Sequence, residues 1–248
     1  MKEKIRKILL VICVCVFVYS VFQLGMIFYN YYKTEKDSQE LVEDYIAEPE
    51  TKDEDEEIDP LKRVVDFKKL QERNKDVIGW LYIPDTTIDE PILKGASNDT
   101  YLRTDIDHQS KTAGQVFIDE INSKDFSDDN TIIYGHNMRN GTRFHDLRYY
   151  VEKEFYDEHN LVYIYLPDNT VNVYKIYSAN VINASSDFYQ KGINYTSYVQ
   201  NAQSSAKQTS EVSNEQQPLI LLSTCYAHNS ENRYVVFARL DKNVKIGE

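Results

Sequence analysis

Three side chains able to perform covalent catalysis stand at the ends of predicted β-strands. Cys225 ends one apolar run, His136 ends another, and Arg233 begins the last strand. A thiolate is a nucleophile that a neighbouring cation stabilises. An imidazole can pass a proton to or from an amine, and a guanidinium can stabilise the oxyanion of a tetrahedral intermediate. Together the three side chains indicate acyl transfer by a nucleophilic cysteine.

The polar turn 227–232 connects the strand that ends near Cys225 with the strand that begins at Arg233. Antiparallel neighbours joined by such a turn lie side by side. We therefore expect Cys225 and Arg233 at the same end of the sheet. Gly135, beside His136, is typical of a position where the backbone turns or another group approaches closely.

Each of these residues also has an ordinary structural interpretation. Cys225 fits a core cysteine of a buried strand, His136 a histidine satisfied in the core or at the surface, and Arg233 a surface charge. The other histidines are His108, His145, His159 and His228. His228 is the alternative base, because it follows Cys225 closely in the sequence.

The cysteine content limits the remaining chemistry. Cys13 and Cys15 lie in an apolar run, which leaves Cys225 as the single cysteine of the predicted globular part. One thiol cannot form a disulfide within that part, and the sequence contains no C-x-x-C spacing typical of a metal site.

Short β-rich segments and a few helices must position these side chains. An amphipathic helix is predicted from Asp59-Pro60 to about Asn74, and helical stretches are predicted around 144–159 and 196–209. Eight strands of this length favour a closed or nearly closed barrel with the helices as insertions. The predicted strands are 80–84, 89–95, 114–119, 131–136, 161–167, 171–182, 218–226 and 233–240.

The N-terminal region has the composition of a membrane anchor. Residues 8–28 carry no charge, and at about 1.5 Å rise per residue they span roughly 30 Å, the thickness of a bilayer core. Basic residues precede this run and tyrosines follow it, so we expect a cytoplasmic N-terminus and an extracellular domain. A cleaved signal peptide is the alternative, but its apolar region is shorter and ends in small residues.

The acidity of the chain is concentrated in one segment. Residues 34–60 contain thirteen Asp or Glu against Lys36 and Lys52, and they account for nearly all of the net charge of −12. We interpret this segment as a solvated spacer, since it repels itself and has little apolar periodicity. The rest is close to balanced, and we predict no nucleic-acid partner. The predicted organisation is a cytoplasmic N-terminus (1–7), a transmembrane anchor (8–28), an acidic stalk (29–58) and an extracellular catalytic domain (59–248).

Three short runs resemble motifs of the sortase family. The run 222–225, Leu-Ser-Thr-Cys, resembles its TLxTC signature, the run 134–137 its Gly-His motif, and the run 232–236 its arginine strand. They occur in the family's order after a membrane anchor. The resemblance covers about residues 60–241 and implies a mainly β fold. That fold is an eight-stranded sortase-type barrel with an N-terminal helix and helical insertions, preceded by one transmembrane helix.

The resemblance also implies a class and a set of site residues. Ser223 before Thr-Cys, the N-terminal helix and the long helix-bearing stretch 183–217 are similar to class B. The catalytic residues implied are His136 as acid and base, Cys225 as nucleophile and Arg233 as oxyanion partner. The substrate-binding residues implied are Asn98, Leu102, Ser223 and Thr224.

The sequence departs from the family pattern at two positions near the nucleophile. Leu221 replaces the first Thr of the signature, and we expect little effect because it lies upstream on a buried strand. Tyr226 stands where class B members often have an acidic residue, so this side of the pocket is expected to differ.

The reaction implied begins when Cys225 attacks a Thr-X bond in an NPxT-like sorting signal of a secreted protein. An amine of a peptidoglycan precursor or cross-bridge then resolves the thioacyl enzyme, so the protein becomes attached to the wall of a Gram-positive-type cell. We predict no cofactor and no metal.

Three alternatives stay open. A cysteine peptidase would use water in place of the amine, and a membrane-anchored binding module would keep Cys225 as a structural residue. A pilus-polymerising class C sortase is disfavoured, since no second apolar span follows Leu240 and no lid motif precedes the first strand.

Overall fold

The structure is a computed structural model and describes residues 2–47, 59–213, 215–227 and 230–246. Its centre is a barrel of eight strands, which fall where the apolar segments of the sequence predict them. The strands are β1 (Val77–Tyr82), β2 (Asp89–Leu93), β3 (Val116–Ile118), β4 (Asn130–Tyr134), β5 (Leu161–Tyr165), β6 (Thr170–Asn183), β7 (Leu219–Cys225) and β8 (Asn232–Lys245).

The strands follow the order β8-β7-β4-β3-β2-β1-β5-β6, and an antiparallel pairing of β6 with β8 closes the barrel. β7 runs parallel to β4, and β2 runs parallel to β3, whereas the other neighbours are antiparallel. A short strand, Gln208–Thr209, extends the sheet beside β6. The predicted eight-stranded barrel is therefore confirmed.

The strands are apolar on both faces because both faces are covered. Along β7, Ile220 and Leu222 belong to one buried cluster, whereas Leu219 and Leu221 belong to another that includes residues of the 195–204 helix. Since neighbouring side chains of a strand point to opposite faces, a strand covered on both sides reads as a continuous apolar run. Leu221 is fully buried, as the sequence predicts.

The described residues form four α-helices: α1 (Lys2–Tyr45), α2 (Phe67–Arg73), α3 (Lys153–Glu158) and α4 (Tyr195–Ser204). Two 3₁₀ helices, Pro60–Lys62 and His145–Val151, accompany them. The helical stretch predicted around 144–159 is confirmed, and the one predicted around 196–209 is confirmed as far as Ser204, beyond which Gln208–Thr209 form a short strand instead.

The helix predicted from Asp59 to Asn74 is wrong in its first half. Val64–Val65 form a short strand with Ile46–Ala47, and α2 begins only after Asp66, whose carboxylate accepts a hydrogen bond from the Lys69 amide. The exposed Val64 and the buried Val65 alternate as in a strand. Two adjacent β-branched residues favour this conformation. Their spacing also fits the apolar stripe of the predicted helix, although they form a strand.

The acidic segment also differs from the predicted spacer. α1 continues unbroken to Tyr45, and Leu41 and Tyr45 are buried in one cluster with Phe67 and Leu70 of α2. The inward positions 34, 38, 41 and 45 follow helical spacing, so the acidic side chains occupy the other faces. Residues 48–58 of the predicted stalk lie outside the described residues, and the boundaries at residues 7, 28 and 58 stay predictions.

The first part of α1 is exposed along residues 8–28, where the helix is long and apolar enough to cross a membrane. This helix is consistent with a membrane anchor at the N-terminal end of the chain.

Candidate active site

A cleft of about 210 Å³ opens at the rim of the barrel, where β4 and β7 end and β8 begins. The structure brings the catalytic and substrate-binding residues implied by the resemblance to this cleft. They are Asn98, Leu102, His136, Ser223, Thr224, Cys225 and Arg233, joined by Asp99, Phe117, Tyr134 and Gly135.

The parallel pairing of β4 and β7 brings the ends of these strands together. Ser223 lies opposite Tyr134 in the register, the Gly135 amide donates to the Ser223 carbonyl over 3.2 Å, and the Thr224 hydroxyl donates to the Gly135 carbonyl over 2.7 Å. Beyond the strand end, Asn137 Nδ2 donates to the Cys225 carbonyl over 3.0 Å. These bonds fix the backbone of Cys225 against the segment that carries His136.

The β7–β8 hairpin places Cys225 directly opposite Arg233. The Cys225 thiol is free and half-buried. Arg233 is also half-buried, and its Nη1 donates to the carbonyls of Ser230 and Asn232 over 2.7 and 2.9 Å. The turn therefore holds a permanent positive charge beside the thiol.

His136 is held by a backbone carbonyl. Its Nε2 lies 2.7 Å from the carbonyl oxygen of Leu102. Because a carbonyl can only accept, Nε2 carries the proton of the neutral imidazole and Nδ1 is the nitrogen able to take one.

The surroundings of His136 favour its neutral form. Burial lowers the pKa of His136 from its ordinary 6.5, and the charges of Arg103 and Arg143 lower it further, against the opposing effect of the Leu102 hydrogen bond. The imidazole is therefore mostly neutral at pH 7, with Nδ1 available to accept a proton.

The backbone around His136 is also tightly packed. The Phe144 amide donates to the His136 carbonyl over 3.0 Å, and the Phe144 ring covers Gly135. A Cβ at position 135 would stand 2.6 Å from this ring, so only glycine fits. This is the close approach that Gly135 predicts in the sequence.

One wall of the cleft is a hydrogen-bonded network centred on Asp119. Its Oδ2 accepts from the Tyr134 hydroxyl over 2.7 Å and from Asn98 Nδ2 over 3.1 Å, and the Glu120 amide donates to Asn98 Oδ1 over 2.7 Å. The amide group of Asn98 is thus fixed in one orientation. Burial raises the pKa of Tyr134, so its hydroxyl stays neutral and donates.

Tyr189 contacts two residues that line the cleft, Ser223 and Tyr134, and was missed by the sequence analysis. The Tyr189 hydroxyl shares a hydrogen bond of 2.8 Å with Ser223 Oγ, and its ring stacks on Tyr134 at 6.2 Å between centroids. Burial raises the pKa of Tyr189, which keeps this hydroxyl neutral too. Tyr189 lies in an irregular connection and is one of 20 tyrosines, so no sequence pattern distinguishes it.

Residues 81–241 match the sortase domain family. This chain belongs to the sortase family. The sortase B of Listeria monocytogenes is 32% identical to it over 235 residues, which cover 90% of this chain and 91% of the relative. The sortase B of Staphylococcus aureus is 28% identical over 185 residues, which cover 71% of this chain and 75% of the relative.

Solved class B structures share the fold of this sortase. The sortase B of Bacillus anthracis, solved in complex with AAEK1, superposes with a TM-score of 0.69 at 25% identity and covers 86% of this chain and 98% of its own. The Staphylococcus aureus sortase B superposes equally well at 23% identity, covering 88% and 99%. The resemblance to class B is confirmed, and the protein is a sortase, a cysteine transpeptidase of the class that anchors proteins to the cell wall.

Two further positions of this sortase bear on the cleft. Tyr226, which replaces the acidic residue often found after the cysteine, is exposed and stacks on Tyr234 at 4.8 Å between centroids. The position after the nucleophile therefore presents an exposed aromatic surface. His228, the alternative base, lies outside the described residues.

Proposed function

We propose that this sortase cleaves an NPxT-like sorting signal after its Thr and attaches the secreted protein to an amine of peptidoglycan. The observation that supports the proposal is the convergence of Cys225, His136 and Arg233 on one cleft at the rim of the barrel. Asn98 and Leu102 line the same cleft and would hold the signal, while Ser223 and Thr224 lie beside the nucleophile.

In the acylation step, Cys225 Sγ attacks the Thr carbonyl carbon. Neutral His136 takes the thiol proton and passes it to the leaving amine, so that the C–N bond breaks as a thioester forms. Arg233 stabilises the negative charge on the carbonyl oxygen. Arg233 lies directly opposite Cys225 in the hairpin, which supports this role. A hydrogen-bond donor to an oxyanion acts best when it is held in place before the reaction.

In the second step, an amine of a wall peptide attacks the thioester carbonyl. His136 accepts a proton from the attacking nitrogen, and the Cys225 sulfur leaves. Water in place of the amine would give a peptidase with the same first step. The proposed reaction needs no cofactor and no metal.

The walls of the cleft offer complementary surfaces to an extended peptide. Asn98 presents an amide whose orientation is fixed by Asp119 and Glu120. Leu102 presents an exposed apolar side chain, which fits a proline ring better than a charged group. Ser223 and Thr224 are buried and their hydroxyls are already bonded, so we assign their influence to shaping the cleft beside the nucleophile.

We place the catalytic domain outside the cell, with residues 8–28 in the membrane and the basic N-terminus in the cytoplasm. α1 continues beyond residue 28 and packs on the barrel at Leu41 and Tyr45. Because α1 already contacts the domain at Tyr31, a helix anchored in this way would hold the domain close to the membrane surface. Membrane-linked peptidoglycan precursors are within reach of an enzyme held in this way.

The full-length protein in detergent, incubated with NPxT-type peptides and a short peptide amine, tests the proposal by mass spectrometry of the products. Ligation of the amine to the Thr carboxyl group by the wild type, and not by Cys225→Ala, is the expected result. Hydrolysed peptide alone at excess amine would favour the peptidase. If Cys225→Ala performed either reaction, the proposal would be wrong.

A further inference from the structure

Arg143 is a fully buried arginine on the segment that follows His136. Its backbone has a φ of 61°, which a residue with a side chain rarely adopts. Such a conformation persists where the surrounding contacts determine it, and it is frequent beside functional sites. Arg143 forms an isolated β-bridge with Asn137. The segment 137–143 is therefore a closed loop that begins directly after His136, the candidate acid and base.

The guanidinium of Arg143 connects three separate parts of the chain. Nη1 lies 2.5 Å from Glu90 Oε1 on β2 and donates to Ser38 Oγ of α1 over 2.8 Å. Nε donates to the Gly114 carbonyl over 3.1 Å. Glu90 is also fully buried, so that the pair is shielded from solvent.

Gly114 belongs to the segment that holds the His136 ring. This segment, residues 102–114, begins at Leu102, whose carbonyl bonds His136 Nε2. The two ends of this segment lie against each other, because a Cβ added at Gly114 would stand 2.5 Å from the Leu102 carbonyl oxygen. Arg143 therefore joins the loop that carries the His136 backbone to the segment that orients its ring.

α1 contacts the same two segments. Two residues of the loop 137–143 donate hydrogen bonds to α1. Asn140 Nδ2 donates to the Tyr31 carbonyl over 2.9 Å, and Arg143 Nη1 donates to Ser38 Oγ over 2.8 Å. Asp37 forms an ion pair of 2.5 Å with Lys111 in the segment 102–114. About two turns of the helix, from Tyr31 to Ser38 just beyond the apolar span, thus bond both supports of His136.

We propose that Arg143 and Ser38 are positioning residues for His136, so that the outer part of the membrane helix is a component of the active site. This proposal rests on the proposed role of His136 in proton transfer. Neither residue touches the substrate. Their effect is to keep the imidazole where its Nδ1 can reach the thiol and the leaving amine.

The expected consequence is a loss of turnover without a loss of binding. A displacement of a reacting group by about 1 Å can reduce the rate of a step by roughly 100-fold. The residues that line the substrate side of the cleft do not contact Ser38, so KM for the peptide should stay within about twofold of its wild-type value. An ion pair that only stabilises the fold would leave kcat unchanged in any variant that stays folded.

Ser38→Ala in the full-length protein in detergent is the first test, because it removes one hydroxyl and leaves the buried ion pair intact. We expect kcat to fall by roughly tenfold with an unchanged KM. Ser38→Thr, which keeps a hydroxyl, should restore most of kcat. Gln39→Ala, an exposed neighbour on the same helix, is the matched control and should behave as wild type.

The double change Arg143→Met with Glu90→Met is the second test. Replacement of a buried ion pair by apolar side chains of similar size often preserves or increases stability, so this variant is expected to fold. Native thermal unfolding with kcat reduced by roughly tenfold or more supports the proposal. Wild-type kcat in the folded double variant and in Ser38→Ala overturns it. If His136→Ala also kept full activity, the proposed function would fail as well; a normal loss in His136→Ala would confine the failure to Arg143 and Ser38.

Discussion

At the scale of single residues, His136 is the side chain whose surroundings most change its chemistry. Burial and two arginine charges lower its pKa, and the Leu102 carbonyl selects the tautomer with a free Nδ1. The sequence identifies His136 by its position at a strand end and by its motif. The burial and the carbonyl contact come from residues distant in sequence, and no local pattern contains them.

The pH dependence of turnover follows from the lowered pKa of His136. Below this pKa the imidazole is protonated and cannot take the thiol proton, so kcat/KM should fall as the pH drops through a value below 6.5. Arg103→Gln removes a repelling charge and should raise the pKa of His136, which moves the acid limb to higher pH. The other charged groups near the imidazole are Arg143, Asp99 and Arg233.

Steady-state kinetics from about pH 4 to 9, on the wild type and on Arg103→Gln, measure this limb. Lys242→Gln, an exposed change on β8 away from the cleft, is the matched control. A wild-type acid limb centred above pH 6.5, or a limb that Arg103→Gln leaves in place, would contradict the account.

At the scale of elements, the site depends on the parallel pair β4 and β7 and on the hairpin of β7 and β8. Both pairings place strand ends, and hence His136, Cys225 and Arg233, at one rim of the barrel. Gly135 is tightly packed at this rim, because the buried Phe144 ring lies over it.

Gly135→Ala should therefore lower both the free energy of unfolding and the activity. The added methyl group meets a buried ring that cannot move away, and overpacking of this kind costs about 1–3 kcal/mol. For a domain of this size, the midpoint of thermal unfolding should drop by roughly 2–10 °C.

A double-mutant cycle with Phe144→Leu provides the control for this clash. The smaller side chain makes room for the methyl group, so the two changes together should cost less than the sum of their separate effects. Strict additivity of the two shifts in the unfolding midpoint would show that Phe144 does not restrict position 135.

The strands were predictable and several connections were not, for physical reasons. A strand buried on both faces is a continuous apolar run, which β4 and β7 display. The spacing of Val64 and Val65 fits the apolar stripe of a helix as well as a strand. The pairing with Ile46–Ala47, which is distant in sequence, decides for the strand. Tyr189 contacts the cleft residues Ser223 and Tyr134 through tertiary packing of an irregular segment, which local sequence does not encode.

At the scale of the whole molecule, the C-terminal part of α1 packs on the domain that carries the site. The inward positions 34, 38, 41 and 45 of α1 face the domain, while most of the acidic residues of this part of the helix lie on its exposed faces. This interface was not predictable from the sequence, because the apolar stripe of α1 is short and lies within a densely acidic segment. High local charge is common in solvated spacers, but here it belongs to the outer faces of a docked helix.

Leu41→Ala measures the strength of this docking. Removal of a buried leucine side chain costs about 2–5 kcal/mol, so amides of residues 34–45 should exchange with solvent at least tenfold faster in the full-length protein. Glu43→Ala, an exposed change on the same helix, should leave exchange as in the wild type. Equal exchange in Leu41→Ala and wild type would indicate a helix that is not docked.

The central claim is that Cys225 carries the acyl group of the sorting signal. Intact-protein mass spectrometry of the full-length enzyme, mixed with an NPxT-type peptide in the absence of amine, measures this directly. The account predicts a mass increase equal to the peptide portion that ends in Thr, located on Cys225 by peptide mapping and absent from Cys225→Ala. Cleavage of the peptide without acylation of Cys225, or acylation that persists in Cys225→Ala, would contradict it.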